Sequence, residues 1–207
     1  MQVRVLSPLP IESDFYSGTV HATFRADLLP QPKYQVNAKL DRVDLRELVA
    51  ITANLQQRFA GIASGDLTFT TSGVGREALA ASLEGHGSID VHDARLTGFD
   101  FQNSARAATG PSEPASFRLV SGNFSLDSSK IRFTNLRLLG PEDSWEATGT
   151  VDFSHKLDFR LRGFTPVPIE QNVSSLRLSP GDPKSTYRFS GSLESPQIVR
   201  TIEPRPR

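Results

Sequence analysis

A chain of 207 residues with 23 Lys and Arg against 23 Asp and Glu can form one domain with a sizeable apolar core, and its balanced, unclustered charge excludes a nucleic-acid footprint. The absence of cysteine excludes disulfides, thiolate metal sites and cysteine nucleophiles, so packing and hydrogen bonding must hold the fold. The opening MQVRVLSPLPIESD has no apolar export core, and the longest aliphatic run, Leu48 to Ile51, is far short of the roughly 20 residues a spanning helix needs, so the chain as it stands is expected to be soluble.

Period-2 alternation dominates the chain. Val20, Ala22, Phe24, Ala26 and Leu28 fall on one face, with Thr19, His21, Thr23, Arg25 and Asp27 on the other, which predicts a one-sided strand. At about 3.3 Å per residue it reaches roughly 33 Å, about twice an ordinary strand. After a proline turn, Tyr34, Val36, Ala38 and Leu40 repeat the pattern and predict an antiparallel partner. The period then changes. Asp44 and Glu47 have capping-box spacing, and Leu45, Leu48, Val49, Thr52, Leu55 and Phe59 recur at helical spacing, predicting an amphipathic helix of about four turns ended by Gly61 and Gly65. Alternation resumes at Leu67 and Phe69, a short helix is expected around Arg76 to Leu83, and a strand begins near Gly87.

The small, polar stretch near 102–116 predicts a loop, as does the one near 171–184. Between them Phe117, Leu119, Phe124, Leu126, Ile131, Phe133, Leu136, Leu138, Trp145, Ala147, Val151, Phe153, Leu157, Phe159 and Leu161 alternate as a meander with turns at LDSSK, GPEDS and FSHK, and TYRFSGSLESPQIV supplies a last strand. The basic end from Arg200 to Arg207 reads as a solvated terminus. A weak repeat relates GSIDVHDARLTGFDF to GNFSLDSSKIRFTNL, each read as a strand, a turn with Asp and a second strand.

No chemical constellation emerges. Asp90, His92 and Asp93 lie close in sequence, but His92 shares the polar face with Asp90 and no second histidine stands at ligand spacing, so no metal is expected. The four histidines are scattered without a nucleophile motif, and Gly73, Gly75, Gly85 and Gly87 fit neither a dinucleotide nor a phosphate loop, so no cofactor is expected and an enzyme is disfavoured. The remaining signal is the apolar face. Periodicity alone favours a sandwich or partly closed barrel over an open trough, because large exposed apolar surfaces are uncommon.

Three passages shift that balance. YQVNAKLDRVDLRELVAITANLQQRFAGIASGDLTFTTSG, LEGHGSIDVHDARLTGFDF, and the stretch from Phe117 to Leu161 with the closing FSGSLESPQI together resemble, in the same order, the C-terminal region of the AsmA family. That family is related to TamB-like and bridge-like lipid transfer proteins. The resemblance implies a mostly β fold, a long-stranded curved antiparallel sheet forming a trough or partly open barrel, with one longer amphipathic helix and one short helix. It further implies that residues 1–207 form a single domain of a longer protein of the Gram-negative periplasm, anchored in the inner membrane by a segment outside this chain. The function implied is non-enzymatic: an apolar β-groove for phospholipid or another acyl lipid, working with envelope proteins in outer-membrane biogenesis. On this reading the lipid contacts are Val20, Phe24, Val36, Leu40, Leu67, Phe69, Ile89, Val91, Phe124, Leu126, Phe133, Val151, Phe153, Leu157 and Phe159. The competing expectation is a structural or adhesive β-sandwich that binds a protein or glycan through its loops.

Overall fold

The computed structural model describes residues 5–15, 17–28, 30–49, 58–97, 115–141, 144–164 and 185–201. Eleven strands make one antiparallel sheet whose spatial order is the chain order. They are β1 (Val5–Phe15), β2 (Gly18–Asp27), β3 (Lys33–Asp44), β4 (Phe59–Ser72), β5 (Glu84–Leu96), β6 (Ala115–Leu126), β7 (Lys130–Leu139), β8 (Ser144–Asp152), β9 (Lys156–Phe164), β10 (Ser185–Ser192) and β11 (Pro196–Thr201). Helix α1 (Leu45–Val49) follows β3, and α2 (Arg76–Ala81) joins β4 to β5. β1 and β11 each pair on one side only, so the sheet is open, and the described residues contain no second sheet to complete a sandwich.

The long strands follow from runs of β-branched, aromatic and small residues, which reach 14 residues in β4. Turns are fixed locally. Asp127 Oδ1 accepts from the backbone N–H groups of Ser129 and Lys130 at 3.0 and 3.1 Å, and Asp152 Oδ1 accepts from those of Ser154 and Lys156 at 2.9 and 2.8 Å. Each carboxyl is thereby held below its ordinary range, chiefly by the bonds from Ser129 to Asp127 and from Ser154 to Asp152.

The sheet curls. Leu45 and Phe59 line the same cavity as Phe189 and Leu193, although β4 and β10 are six strands apart. A flat sheet with spacings of about 4.8 Å would hold those strands roughly 29 Å apart. Register shifts in β3, β4, β6 and β7 accompany the bending, one at Arg42 (φ 56) and one at Gly61 (φ 139). The buried cluster lies inside the curl, drawn from β4 to β10 and centred on Val91, Phe117, Leu138, Trp145, Leu161, Tyr187 and Phe189.

Several expectations need correction. The helix expected over 44–59 is described only as Leu45–Val49; residues 50–57 lie outside the described residues, and Phe59, Gly61 and Gly65 belong to β4 instead of ending a helix. The passage around Asp93 is no hairpin turn but a kink (φ 52) within the continuous β5. The loops expected near 102–116 and 171–184 lie outside the described residues, except that Ala115 and Ser116 open β6. Periodicity gave no sign of strand β1, and Arg200 lies in β11, not in a loose tail.

Candidate apolar groove

Register turns the alternating residues into rows that run across the inner face. One row links Phe24, Val36, Phe69, Gly85, Leu126, Ile131, Val151 and Leu157, one residue per strand from β2 to β9. The next links Ala22, Ala38, Leu67, Gly87, Phe124, Phe133, Gly149, Phe159 and Phe189. Large side chains in these rows face glycines on the neighbouring strand. Phe133 and Phe159 are separated by β8, yet their ring centroids are 5.8 Å apart because Gly149 stands between them. A Cβ at Gly149 would lie 2.5 Å from Phe159 Cγ. Trp145 covers Gly163 in the same way, with its ring 5.6 Å from that of Tyr187. Glycine thus lets adjacent strands bend inward while aromatic rings fill the space left empty.

The curled part of this face encloses a cavity of about 240 Å³, lined only by apolar side chains from α1, β4 to β10 and the turn after β10. Six of the expected lipid contacts line it: Ile89, Val91, Phe133, Val151, Leu157 and Phe159. Val20, Phe24, Val36, Leu40, Leu67 and Phe69 sit on the same face in β2 to β4, partly exposed and outside the buried cluster. Phe124 and Leu126 lie in the rows between the two groups, Phe124 6.0 Å from Phe133. Phe153 is elsewhere: β8 ends at Asp152, and Phe153 occupies the following turn with 51% of its surface exposed. It falls outside the cavity lining, because the Asp152 turn breaks the alternation that would have aimed it inward.

Other lining residues had no place among the expected contacts. Leu136, Leu138, Ala147 and Leu161 alternate plainly in sequence, but Leu45, Phe59 and Leu193 come from a helix start, a strand start and a turn, where period-2 alternation carries no signal and where Leu45 and Phe59 fit helical spacing instead. Both ends of the curl are pinned by polar groups. At α1, Asp44 accepts from the Arg46 backbone N–H at 2.8 Å and from its guanidinium at 2.9 Å, and the Arg46 bond lowers the Asp44 carboxyl below its ordinary range despite burial. Glu47 does not close a capping box; it accepts from Ser17 Oγ at 3.5 Å. At the other end Glu194 lies 2.7 Å from His155 Nδ1, an interaction that lowers the Glu194 carboxyl, and Leu193 N–H donates to His155 O at 2.9 Å. Leu193 is thereby held over the cavity.

The lining offers no nucleophile, acid, base or ligand atom, so its capacity is shelter for apolar matter. Among the described residues no three His, Asp or Glu side chains converge as a metal site, and Asp90, His92 and Asp93 are exposed. No described helix is long and apolar enough to cross a membrane.

No curated protein sequence and no solved structure matches this chain. A family model does match, over residues 5–138, a span that runs from β1 almost to the end of β7 and takes in the inner-face rows of β2 to β6. With well over half of its length matched, the chain belongs to the AsmA family.

Proposed function

We propose that this chain is a non-enzymatic, lipid-handling module of the bacterial cell envelope, in which the inner face of the sheet shelters acyl chains of phospholipid or a similar lipid. Residues 1–207 act as one domain of a longer periplasmic protein tethered to the inner membrane, and the module serves lipid movement in outer-membrane biogenesis. The observation that carries this reading is the apolar face, which passes from a covered cavity lined from β4 to β10 onto a partly exposed surface in β2, β3 and the far part of β4. Membership of the AsmA family, an envelope family, supports the setting. At about 240 Å³ the cavity is smaller than a typical small-molecule pocket of roughly 300–1,000 Å³. It therefore takes part of an acyl chain, and the open face takes the rest. Burying apolar surface at roughly 25 cal/mol per Å² is the driving force, and it suits a ligand defined by its hydrocarbon and not by its head group.

Site-specific photo-crosslinking tests this. A benzophenone side chain placed at Val36 or Val151, on the inner face, is expected to capture phospholipid when the chain is expressed in a Gram-negative host, with the adducts identified by mass spectrometry. The same group at Gln35, one residue away on the outer face of β3, is expected to capture none. Equal capture on both faces, or no lipid at either inner position, refutes the groove.

A further inference from the structure

The outer face of β7 to β10 is unusually basic for a chain with no net charge. Its outward side chains alternate with the cavity-lining residues. Within 132–137, 146–150, 158–162 and 186–190 the charged ones are Arg132, Arg137, Glu146, Asp158, Arg160, Arg162 and Arg188, five cations against two anions. Register sets Arg160 directly opposite Arg188. Like charges in that arrangement repel, and a sheet has no need of them unless something anionic offsets the cost. Asp158 answers Arg188 alone, at 3.1 Å. The side chains of Arg132 and Arg160 are exposed and, among the described residues, have no hydrogen-bond or ion-pair partner, although Asp158 lies on the same face. A hollow of about 500 Å³ lies here, and its polar lining is Arg132, Arg160, Arg188, Thr134, Thr148, Thr150 and the single carboxylate of Asp158.

We propose that this outer face is a docking surface for a phosphate-bearing anionic bilayer. Guanidinium groups with free N–H donors and neighbouring hydroxyls match phosphate oxygens in charge and geometry. The spacing selects a bilayer over one small molecule. From β7 to β10 the arginines span three strand spacings, roughly 14 Å, and from Arg132 to Arg137 they run about 17 Å along a strand, farther than one phosphate can bridge. A surface of many head groups offers a phosphate to each of them. The outer face thus orients the sheet on a membrane while the inner face stays free, and the assignment does not depend on what occupies the groove.

The test is co-sedimentation of the purified chain with vesicles of phosphatidylcholine alone and of phosphatidylcholine with about 30% phosphatidylglycerol, at about 0.05 M and 0.5 M salt. Expected is binding to the anionic vesicles only, lost at the higher salt. R132Q/R160Q, which removes two side chains that hold nothing in the fold, should melt like the parent and bind roughly 30-fold more weakly. R25Q/K39Q, which removes the same charge from the outer face of β2 and β3, should bind as the parent does. Four outcomes overturn the proposal: no binding of the parent to anionic vesicles, equal binding to neutral ones, equal losses in the two double variants, or saturable binding of glycerol 3-phosphate without vesicle binding, which marks a site for a soluble phosphate.

Discussion

Aspartate substituted singly for Phe24 and for Phe189 tests whether the inner face is open at one end and covered at the other. Both phenylalanines belong to the same apolar surface, but their settings differ. Phe24 is partly exposed in β2, opposite Val36 and with its ring 6.2 Å from that of Tyr34. Phe189 is 3% exposed and packs in the buried cluster beside the cavity. Removing a buried phenylalanine from a packed core costs about 3–5 kcal/mol before any charge is considered. A carboxylate among apolar neighbours adds several more, enough to exhaust a domain stability of about 5–15 kcal/mol. At Phe24 water reaches the new carboxylate, so the loss is limited to part of one side chain's burial, about 1–2 kcal/mol. Urea unfolding followed by fluorescence is well suited, because the sole tryptophan, Trp145, lies in the covered cluster against Tyr187. Phe24→Asp should show a lower midpoint with an unchanged slope, and Phe189→Asp no cooperative transition. Equal destabilisation at the two sites would refute the division of the face.

Gly149→Val places carbon against Phe159 Cγ and the Asp158 carbonyl, 2.5 and 2.3 Å from the first atom added, and overpacking of this kind should lower stability by at least about 1–3 kcal/mol in thermal or urea melts. Asp44→Ala removes the α1 cap and should cost about 1 kcal/mol in the same assay. Because the folded Asp44 carboxyl is held below its ordinary 3.8, its contribution is present above that value and lost as pH falls through the lower folded one, so the parent and Asp44→Ala should converge in stability at acid pH. Glu194→Gln should speed amide exchange of Leu193, whose N–H bond to His155 O depends on the neighbouring contact at 2.7 Å; since the Glu194 carboxyl is likewise lowered from 4.5, the parent should approach the variant's exchange rate only as pH falls below that value.

Individual strands were legible from period-2 alternation wherever they are one-sided and uninterrupted, as in β2 and β3, whereas alternation alone favoured two packed sheets or a barrel over the single open sheet. The strands read poorly where small residues or bulges break the period. In β4 the run FAGIASG offers few large side chains, and its place in the sheet comes from pairing with β5 and from the bend at Gly61, both non-local. Strand β1 was hidden by Pro8 and Pro10, which read as breakers but are tolerated at a sheet edge. In the groove, residues aligned by simple alternation were visible, whereas Leu45, Phe59 and Leu193 reach the cavity only through the curl. Phe153 shows the converse: one aspartate turn, starting directly after Val151, takes an apparently periodic phenylalanine off the face. Curvature itself has no period, and only the resemblance of ordered motifs pointed toward it.

The agreement between strand order and chain order bears on how such a protein changes size. Every strand pairs only with the segments immediately before and after it, so the sheet has the near-one-dimensional logic of a repeat array, with stability accumulating from neighbour to neighbour. A two-strand unit inserted at any turn would widen the sheet by about 10 Å without rethreading the rest. The width of the apolar face is therefore a quantity that gene duplication can adjust in small increments, with every existing strand pair left in place.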